Sequence, residues 1–204
     1  MRSMPIIVIS VSVFSGPLAA QQFVDLGPNT RIFDLNHDGS RAVGDATAIA
    51  FRWSQAGGIV PLGTLPGDTT SIAEGISPDG SVVAGTSSLG NARRSFRWTE
   101  AGGFEVLGPV PVNGPGSWGR GVSDDGAVVW VVSAISFVRS YLWTASSGFQ
   151  QVVLSQGWDN NFPAGMSGDG AVVVGSSWIG AWHIWRWSGS TGMQELQSNI
   201  ALKI

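Results

Sequence analysis

Short apolar runs alternate with Asp-Gly and Gly-Gly pairs along most of this chain. In the clearest stretch, a Val-Val pair follows Asp79-Gly80, and an aromatic run ending at Trp98 precedes Gly102-Gly103. Glycine adopts the positive φ that a tight hairpin turn needs, while β-branched and aromatic residues favour strands. The pattern therefore predicts four short strands, A to D, over residues 71–108, paired as two antiparallel hairpins.

This pattern occurs four times along the chain. Equivalent residues recur at intervals of 41 to 46: Trp53, Trp98, Trp143 and Trp187; Gly58, Gly103, Gly148 and Gly192; and the turn glycines Gly39, Gly80, Gly126 and Gly170. About 45 residues with four short strands is the size of one β-propeller blade, and one such sheet cannot bury both of its faces alone. We therefore predict an all-β, β-propeller-like domain at 21–204, made of about four antiparallel units at about 28–63, 64–108, 109–154 and 155–198. The C-strand tryptophans are expected to pack between the units.

The number of predicted strands does not decide whether the units close into a ring. Residues 23–27 (FVDLG) match the D strands predicted at 59–63 and 104–108, so the chain holds five D-like strands but only four A–B–C sets. This predicts an extra strand at 23–27. Either one D strand is surplus, or the chain is an incomplete ring or part of a larger array.

The first twenty residues have the pattern of a secretory signal. Arg2 precedes an apolar run at 5–14, and small residues lead to a predicted cleavage site after Ala20. A run of ten residues is too short to span a bilayer as a helix, so no transmembrane segment is predicted in the mature chain. The expected location is secreted, periplasmic or cell-surface.

The amino-acid composition excludes some kinds of site and some classes of partner. The chain has no cysteine, which excludes disulfides and thiolate metal sites, and only 12% of its 204 residues are charged, with a net charge of −3. Nothing in it resembles a basic patch, so nucleic acid is not an expected partner.

The sequence pattern of the repeat resembles that of a known protein family. The patterns A-x-G-[IVM]-S-x-D-G-x-V-V-x-G, [AS]-F-R-W-[TS] and GG-h-x-x-LG-x-[LV]-P stand at 73–85, 95–99 and 102–111, and partial second copies stand at 50–54 and 57–66. They look like the HAF-type extracellular repeats of bacterial exported proteins. The resemblance implies an exported β-repeat protein with no assigned chemistry. The third unit departs from the pattern at Trp130 and Leu142, and the fourth lacks the usual ending of its D strand.

One motif suggests a metal. Asp34, Asn36 and Asp38 occur as D-x-N-x-D-G with Asp45 at the twelfth position, which is the ligand spacing of a calcium loop. The final ligand is not the longer Glu, no helical pattern flanks the motif, and the other units carry Ser and Gly at the positions of Asn36 and Asp34. An ordinary A–B hairpin turn is the alternative interpretation, and calcium at Asp34-Asn36-Asp38 stays a hypothesis.

The other polar candidates have structural interpretations, so no catalytic, cofactor-binding or metal residue is predicted. The equivalent residues Ser77, Ser123 and Ser167 are expected to cap their turns. Asp124 and Asp125 are expected to be turn residues. Arg52, Arg97 and Arg186, each just before the C-strand tryptophan, are expected to cover aromatic surface or pair with acids. His37 and His183 lie in unrelated parts of their repeats, and no G-x-S-x-G elbow is present.

The last unit is unusually aromatic. Strand alternation places Trp185 and Trp187 with His183 on one face and Trp182 on the other. If that second face is exposed, it would be a flat apolar platform for sugar rings or an acceptor protein, and edge packing is the alternative. Trp178 is the fourth tryptophan of this region.

Three functions therefore follow from the sequence. The first is an exported, non-enzymatic binding or cell-envelope module with an unknown protein or glycan partner. The second is a carbohydrate-binding or carbohydrate-active propeller that uses the 178–187 region. The third is a structural array fragment of a longer surface protein. Further repeats or self-association are expected at an open edge of the ring.

Overall fold

The computed structural model describes residues 24–109, 116–134, 138–153 and 161–197. These residues form four antiparallel sheets of four strands each, in which the strands follow one another in sequence order. The strands are β1 (Thr30–Leu35), β2 (Arg41–Ala46), β3 (Ile49–Ser54), β4 (Gly58–Gly63), β5 (Thr70–Ile76), β6 (Val82–Leu89), β7 (Ala92–Thr99), β8 (Gly103–Val106), β9 (Ser117–Val122), β10 (Val128–Ala134), β11 (Val138–Thr144), β12 (Gly148–Gln151), β13 (Asn161–Met166), β14 (Val172–Trp178), β15 (Trp182–Ser188) and β16 (Gly192–Gln197). The predicted fold class is confirmed, and β16 forms although its sequence departs from the repeat.

The A–B turns form as the Asp-Gly pairs predict. The four turn glycines have φ between 69° and 71°, and each donates its N–H to the carbonyl three residues earlier. Only glycine adopts this left-handed conformation at low cost. The turns therefore fix the same hairpin register in all four units.

The sheets stack face to face, with the same order of faces at each of the three interfaces. We call the side with the C-strand aromatic residues the front face and the opposite side the back face. Val43 and Ala50 on the back face of the first sheet pack with Val83 and Phe96 on the front face of the second. The same arrangement joins the second sheet to the third and the third to the fourth, where Leu142 packs with residues of the fourth sheet's front face. The back faces of the first three sheets are thus each covered by the front face of the next sheet.

The A strands of neighbouring sheets lie beside one another, β1 with β5 and β5 with β9. Each A strand has an irregularity in its pairing with the B strand, for example between Ala73 and Gly75. A Cβ added at Gly75 would lie 2.7 Å from the Cα of Gly121, so two A strands approach closely here. The inner edges of the sheets therefore meet around a common space.

The N-terminal region differs from the sequence-based expectation. The predicted signal at 1–20 and Phe23 lie outside the described residues. Residues 24–27 form no strand, so the extra strand predicted at 23–27 is not present over these four positions. Instead, the Gly27 N–H binds the Asp25 carboxylate at 2.8 Å and Gly27 has φ +86°, which bends the chain away from extended geometry.

No pairing between strands of the first and fourth sheets occurs within the described ranges. In that part of the chain, no helix has the length and apolar character that crossing a membrane would require.

Candidate functional site

A cavity of about 480 Å³ lies where the inner strands of the four sheets converge. Every sheet contributes to its wall, and four of the lining side chains are aromatic. The lining residues are Phe33, Glu74, Trp118, Arg120, Trp130, Val132, Val138, Phe162 and Pro163. A volume of this size with apolar walls and few polar groups is typical of small-ligand sites. We call this space the inner cavity.

An ion pair stands inside this apolar lining. The Arg120 guanidinium donates from Nη1 to Oε1 of Glu74, and the Thr86 hydroxyl donates to Oε2 at 3.3 Å. The Glu74 side chain is only 9% exposed, whereas that of Arg120 is 43% exposed. Burial raises the pKa of Glu74, and the opposing effect of Arg120 is smaller. The carboxylate is therefore held in an environment that disfavours its charge.

The pair leaves hydrogen-bonding capacity for a ligand. A guanidinium has five N–H donors, and Glu74 is the partner that the structure gives Arg120. Trp130, another lining residue, adds a buried indole Nε1 that has no acceptor among the residues that the structure describes. Buried donors are normally satisfied, so an unpaired one in a cavity wall marks a place where an acceptor can bind.

Two further arginines fix aromatic side chains of the wall. The guanidinium of Arg31 lies 5.3 Å from the ring centre of Phe33, and that of Arg93 lies 5.1 Å from the ring of Trp118. Such cation–π contacts hold the rings in place. These contacts position two of the four aromatic rings of the wall.

The calcium candidates have other partners in the structure. Asp34 accepts the N–H of Ile76 at 2.9 Å from the neighbouring sheet, and burial raises its pKa. Asp45 pairs with Arg31 at 2.9 Å, because the two residues lie directly opposite each other in the β1–β2 pairing, whereas Asp34 lies opposite Val43. Asn36 Oδ1 accepts the Arg41 N–H, and Asp38 accepts the Ser40 N–H. Among the described residues, no three histidine, cysteine or acidic side chains are grouped so that they could hold a metal ion.

The recurrent serines cap their turns, as the sequence predicts. The Ser77 hydroxyl accepts the Val82 N–H at 3.0 Å and donates to Asp79 at 2.5 Å. Ser123 and Ser167 make the equivalent bonds in their own units.

The remaining polar candidates also have structural partners. Asp125 accepts the Ser123 hydroxyl and the Ala127 N–H, while the Asp124 N–H donates to the Gly168 carbonyl of the next turn. Nδ1 of His183 lies 2.7 Å from Glu195 in the fourth sheet, and His37 donates its backbone N–H to Pro78. None of these side chains lines the inner cavity.

The arginines before the C-strand tryptophans link neighbouring sheets in two units. Arg52 lies 5.3 Å from the ring centre of Trp98 and bonds both carboxylate oxygens of Glu100. Arg97 donates to the Gly126 carbonyl at 3.0 Å. The predicted structural role is present in both.

The tryptophans of the last unit separate into two groups. Trp185 and Trp187 are buried against the third sheet, and the Trp185 Nε1 donates to the Ser177 hydroxyl at 3.0 Å. Trp178 and Trp182 lie on the exposed back face. Their planes meet at 69°, so the flat platform expected from the sequence is not formed.

The comparisons with known proteins place the fold. No protein-family model matches the chain, and no curated protein matches it. Among solved structures, a candidate TolB from Agrobacterium tumefaciens has a TM-score of 0.61 at 21% identity over 81% of this chain and 61% of that one. TolB from Acinetobacter baumannii has a TM-score of 0.60 at 14% identity over 83% and 44%, respectively. An oligogalacturonate lyase in complex with manganese has a TM-score of 0.54 at 14% identity over 81% and 51%.

These similarities establish the class of fold, a β-propeller. The chain spans 44–61% of the length of these three structures. The HAF-type resemblance stays a prediction, because no family model matches.

Sequence reasoning missed the inner cavity. Glu74 and Arg120 are 46 residues apart and meet only because β5 and β9 are neighbours in the stack. One signal was present in the sequence. Glu74 and Arg120 occupy the same A-strand position in their units, and the other two units have Phe33 and Ala164 there. A position that changes character from repeat to repeat points away from repeated packing and toward a specific role.

Proposed function

We propose that this chain is an exported, non-enzymatic binding module of the cell envelope, and that it binds its ligand in the inner cavity. The observation that carries the proposal is the Glu74–Arg120 pair within an aromatic wall. The predicted signal at 1–20 and the HAF-type repeat pattern support the export and envelope parts of the proposal.

The lining favours one kind of ligand. Aromatic rings offer apolar contact, and the remaining Arg120 donors and the Trp130 Nε1 can bind acceptor oxygens. We therefore expect a compact molecule, or a side chain of a partner, that combines a ring-sized apolar part with carboxylate or hydroxyl oxygens. Glu74 is the only carboxyl group among the described lining residues, and it is engaged by a guanidinium, an arrangement better suited to binding than to acid–base catalysis.

The test is a ligand screen followed by calorimetry. A thermal-shift panel of aromatic carboxylates, oligosaccharides and aromatic amines identifies binders, and each is then titrated against wild type, Arg120→Gln and Trp118→Ala. Loss of a charged hydrogen bond is expected to weaken binding by about tenfold or more. Leu89→Ser, at an exposed position in the second sheet, serves as the control and should bind like wild type.

Two results would contradict the proposal. One is a panel in which no compound binds at millimolar concentration. The other is a binder whose affinity is the same in wild type and in both cavity variants.

A further inference from the structure

The back face of the fourth sheet lacks the cover that the other back faces have. Val43 and Ala84 in the first two sheets are fully buried, whereas their equivalent Val174 is 38% exposed. The position of Ala50 and Ser95, also fully buried, is taken by Ile184, which is 43% exposed. The positions that form the interface between sheets elsewhere are therefore open here.

This face is also the most aromatic exposed surface of the described chain. Trp178 and Trp182 form a cross-strand pair with ring centres 5.4 Å apart, and they are 55% and 60% exposed. The ring of Phe162 lies 5.8 Å from that of Trp182. Since a large aromatic side chain has about 150–250 Å² of surface, these rings and their aliphatic neighbours leave on the order of 600 Å² of apolar area open. That is at the upper end of the patches of about 300–600 Å² found on monomers, and approaches the roughly 800 Å² per partner of a standard interface.

Arg186 on this face provides a guanidinium for contact with a partner. Its equivalents Arg52 and Arg97 cross to the next sheet, where one stacks on an indole ring and the other binds a carbonyl. Arg186 instead bonds Gln194 within its own sheet, at 3.3 Å. The guanidinium is thus in position to reach an aromatic ring on a partner.

We propose that this face binds a second copy of the same chain, with the two fourth sheets packed back face to back face about a two-fold axis. Head-to-tail stacking on the first sheet is disfavoured, because Ala42 and Phe51 of that sheet's front face are already fully buried. A two-fold contact needs only one self-complementary patch, and it is the commonest symmetry of soluble oligomers.

The register follows from the spacing along β15. Trp182, Ile184 and Arg186 point to the same side, and Arg186 is about 13 Å from Trp182 at 3.3 Å per residue. When the two β15 strands run in opposite directions with Ile184 at the axis, Arg186 of each copy lies opposite Trp182 of the other. This pairs a guanidinium with an indole ring twice per dimer.

Sedimentation equilibrium and light scattering on the full chain test the dimer. We expect twice the mass of one chain for wild type, and a dissociation constant raised by about 30-fold or more in Trp182→Glu, as for a buried aromatic hot spot. Leu89→Glu, an equally exposed position in the second sheet, should leave the dimer intact. Trp178→Ser gives a milder second variant, and far-UV circular dichroism verifies that each variant is folded.

A cysteine experiment tests the register separately. The chain has no cysteine of its own, so a single introduced thiol reports one contact. Packed sheets lie about 10 Å apart, which is farther than a disulfide reaches, so a short bismaleimide is used as the crosslinker. It should link Ile184→Cys into a dimer and should not link Leu89→Cys.

Several results would overturn the proposal. They are a wild type that stays monomeric up to about 100 μM, well above the affinity range of standard interfaces; a dimer that survives both tryptophan variants; open-ended polymers; or equal crosslinking of the two cysteine variants. A glycan array in which monomeric wild type binds sugars and Trp182→Ala does not would assign the face to carbohydrate instead. Phe162 borders both sites, but the positions substituted here lie outside the described cavity lining, so the two proposals can fail independently.

Discussion

Ser71 joins the first two sheets through a hydrogen bond that compensates for a break in strand pairing. The β3–β4 ladder is irregular between Ala50 and Phe51, so the Ala50 N–H has no ladder partner at that point. The Ser71 hydroxyl accepts this N–H at 2.8 Å and donates to the Gly63 carbonyl at 2.5 Å. Ser117 repeats the first of these bonds in the next unit, where it accepts the Ser95 N–H at 3.1 Å.

Ser71→Ala should therefore be costly for so small a change. Ser71 is 1% exposed, so water cannot replace its hydroxyl, and the substitution leaves both the Ala50 N–H and the Gly63 carbonyl unpaired. Each buried group without a partner costs about 1–3 kcal/mol. Allowing for non-additivity, we expect the free energy of unfolding to fall by about 2–4 kcal/mol, a large part of the 5–15 kcal/mol of a typical domain.

Urea unfolding followed by tryptophan fluorescence measures this loss. The midpoint should fall with an unchanged slope, and the melting temperature should fall by about 2–4 °C for each kcal/mol. Ser81→Ala is the matched control, because it removes a hydroxyl that also makes a hydrogen bond, here to the Asp79 side chain, but at an exposed turn where water can replace it. If Ser71→Ala destabilises no more than Ser81→Ala, the reasoning about the unpaired N–H is wrong.

Three further predictions concern packing and charge. Gly85→Ala should lower stability by at least about 1–3 kcal/mol, because its Cβ would overlap the Ile72 carbonyl and the Phe96 ring; Gly165→Ala, with only an ordinary contact, should cost less in the same urea titration. The Ser77 hydroxyl, followed by the Ser81 N–H and hydroxyl, lowers the pKa of Asp79 from 3.8 to about 2. The stability that ionised Asp79 contributes is therefore present above about pH 4 and is lost as pH falls toward 2. Asp79→Asn should reduce the change in urea midpoint between pH 4 and pH 2. A variant whose midpoint changes with pH as much as that of wild type would contradict this. Burial raises the pKa of Glu74, so its ionisation disfavours the folded state as pH rises above its ordinary value of 4.5. Glu74→Gln should unfold at an equal or higher urea concentration than wild type at pH 7. A clearly lower midpoint would mean that pairing with Arg120 outweighs the cost of burying the Glu74 charge, and would refute the prediction.

The blades were predictable because their signals are local. An Asp-Gly pair sets its own turn wherever the rest of the chain lies, and the strand residues on either side of Asp79-Gly80 carry the alternation that the sheet requires. The separation of Trp182 from Trp185 and Trp187 also follows from the two-residue period of a strand. These features needed no knowledge of how the units stack.

The site was not predictable for the opposite reason. The Glu74–Arg120 pair depends on contact between two units, and the angle between Trp178 and Trp182 depends on side-chain packing at an uncovered face. Asp34 and Asp45 illustrate the same limit, since their spacing matches a calcium loop but the β1–β2 hairpin holds them at different heights. Spacing in sequence gives ligand geometry only when the backbone between the ligands has the expected shape.

Close contacts between sheets and cavity-lining side chains alternate along the A strands. Gly75 and Gly119 stand where backbones of neighbouring sheets nearly touch, and a Cβ at Gly119 would lie 2.6 Å from the Gly85 carbonyl oxygen. A side chain at either glycine would press against the neighbouring backbone, so glycine is needed there in these two units. The first unit carries Asp34 and Ile32 at the same two repeat positions. Between them in the A-strand pattern lies the position of Glu74 and Arg120, whose side chains line the cavity and make no such approach. The inner wall is therefore a place where the units contribute side chains of different chemistry, with Phe33 from the first unit, Glu74 from the second and Arg120 from the third.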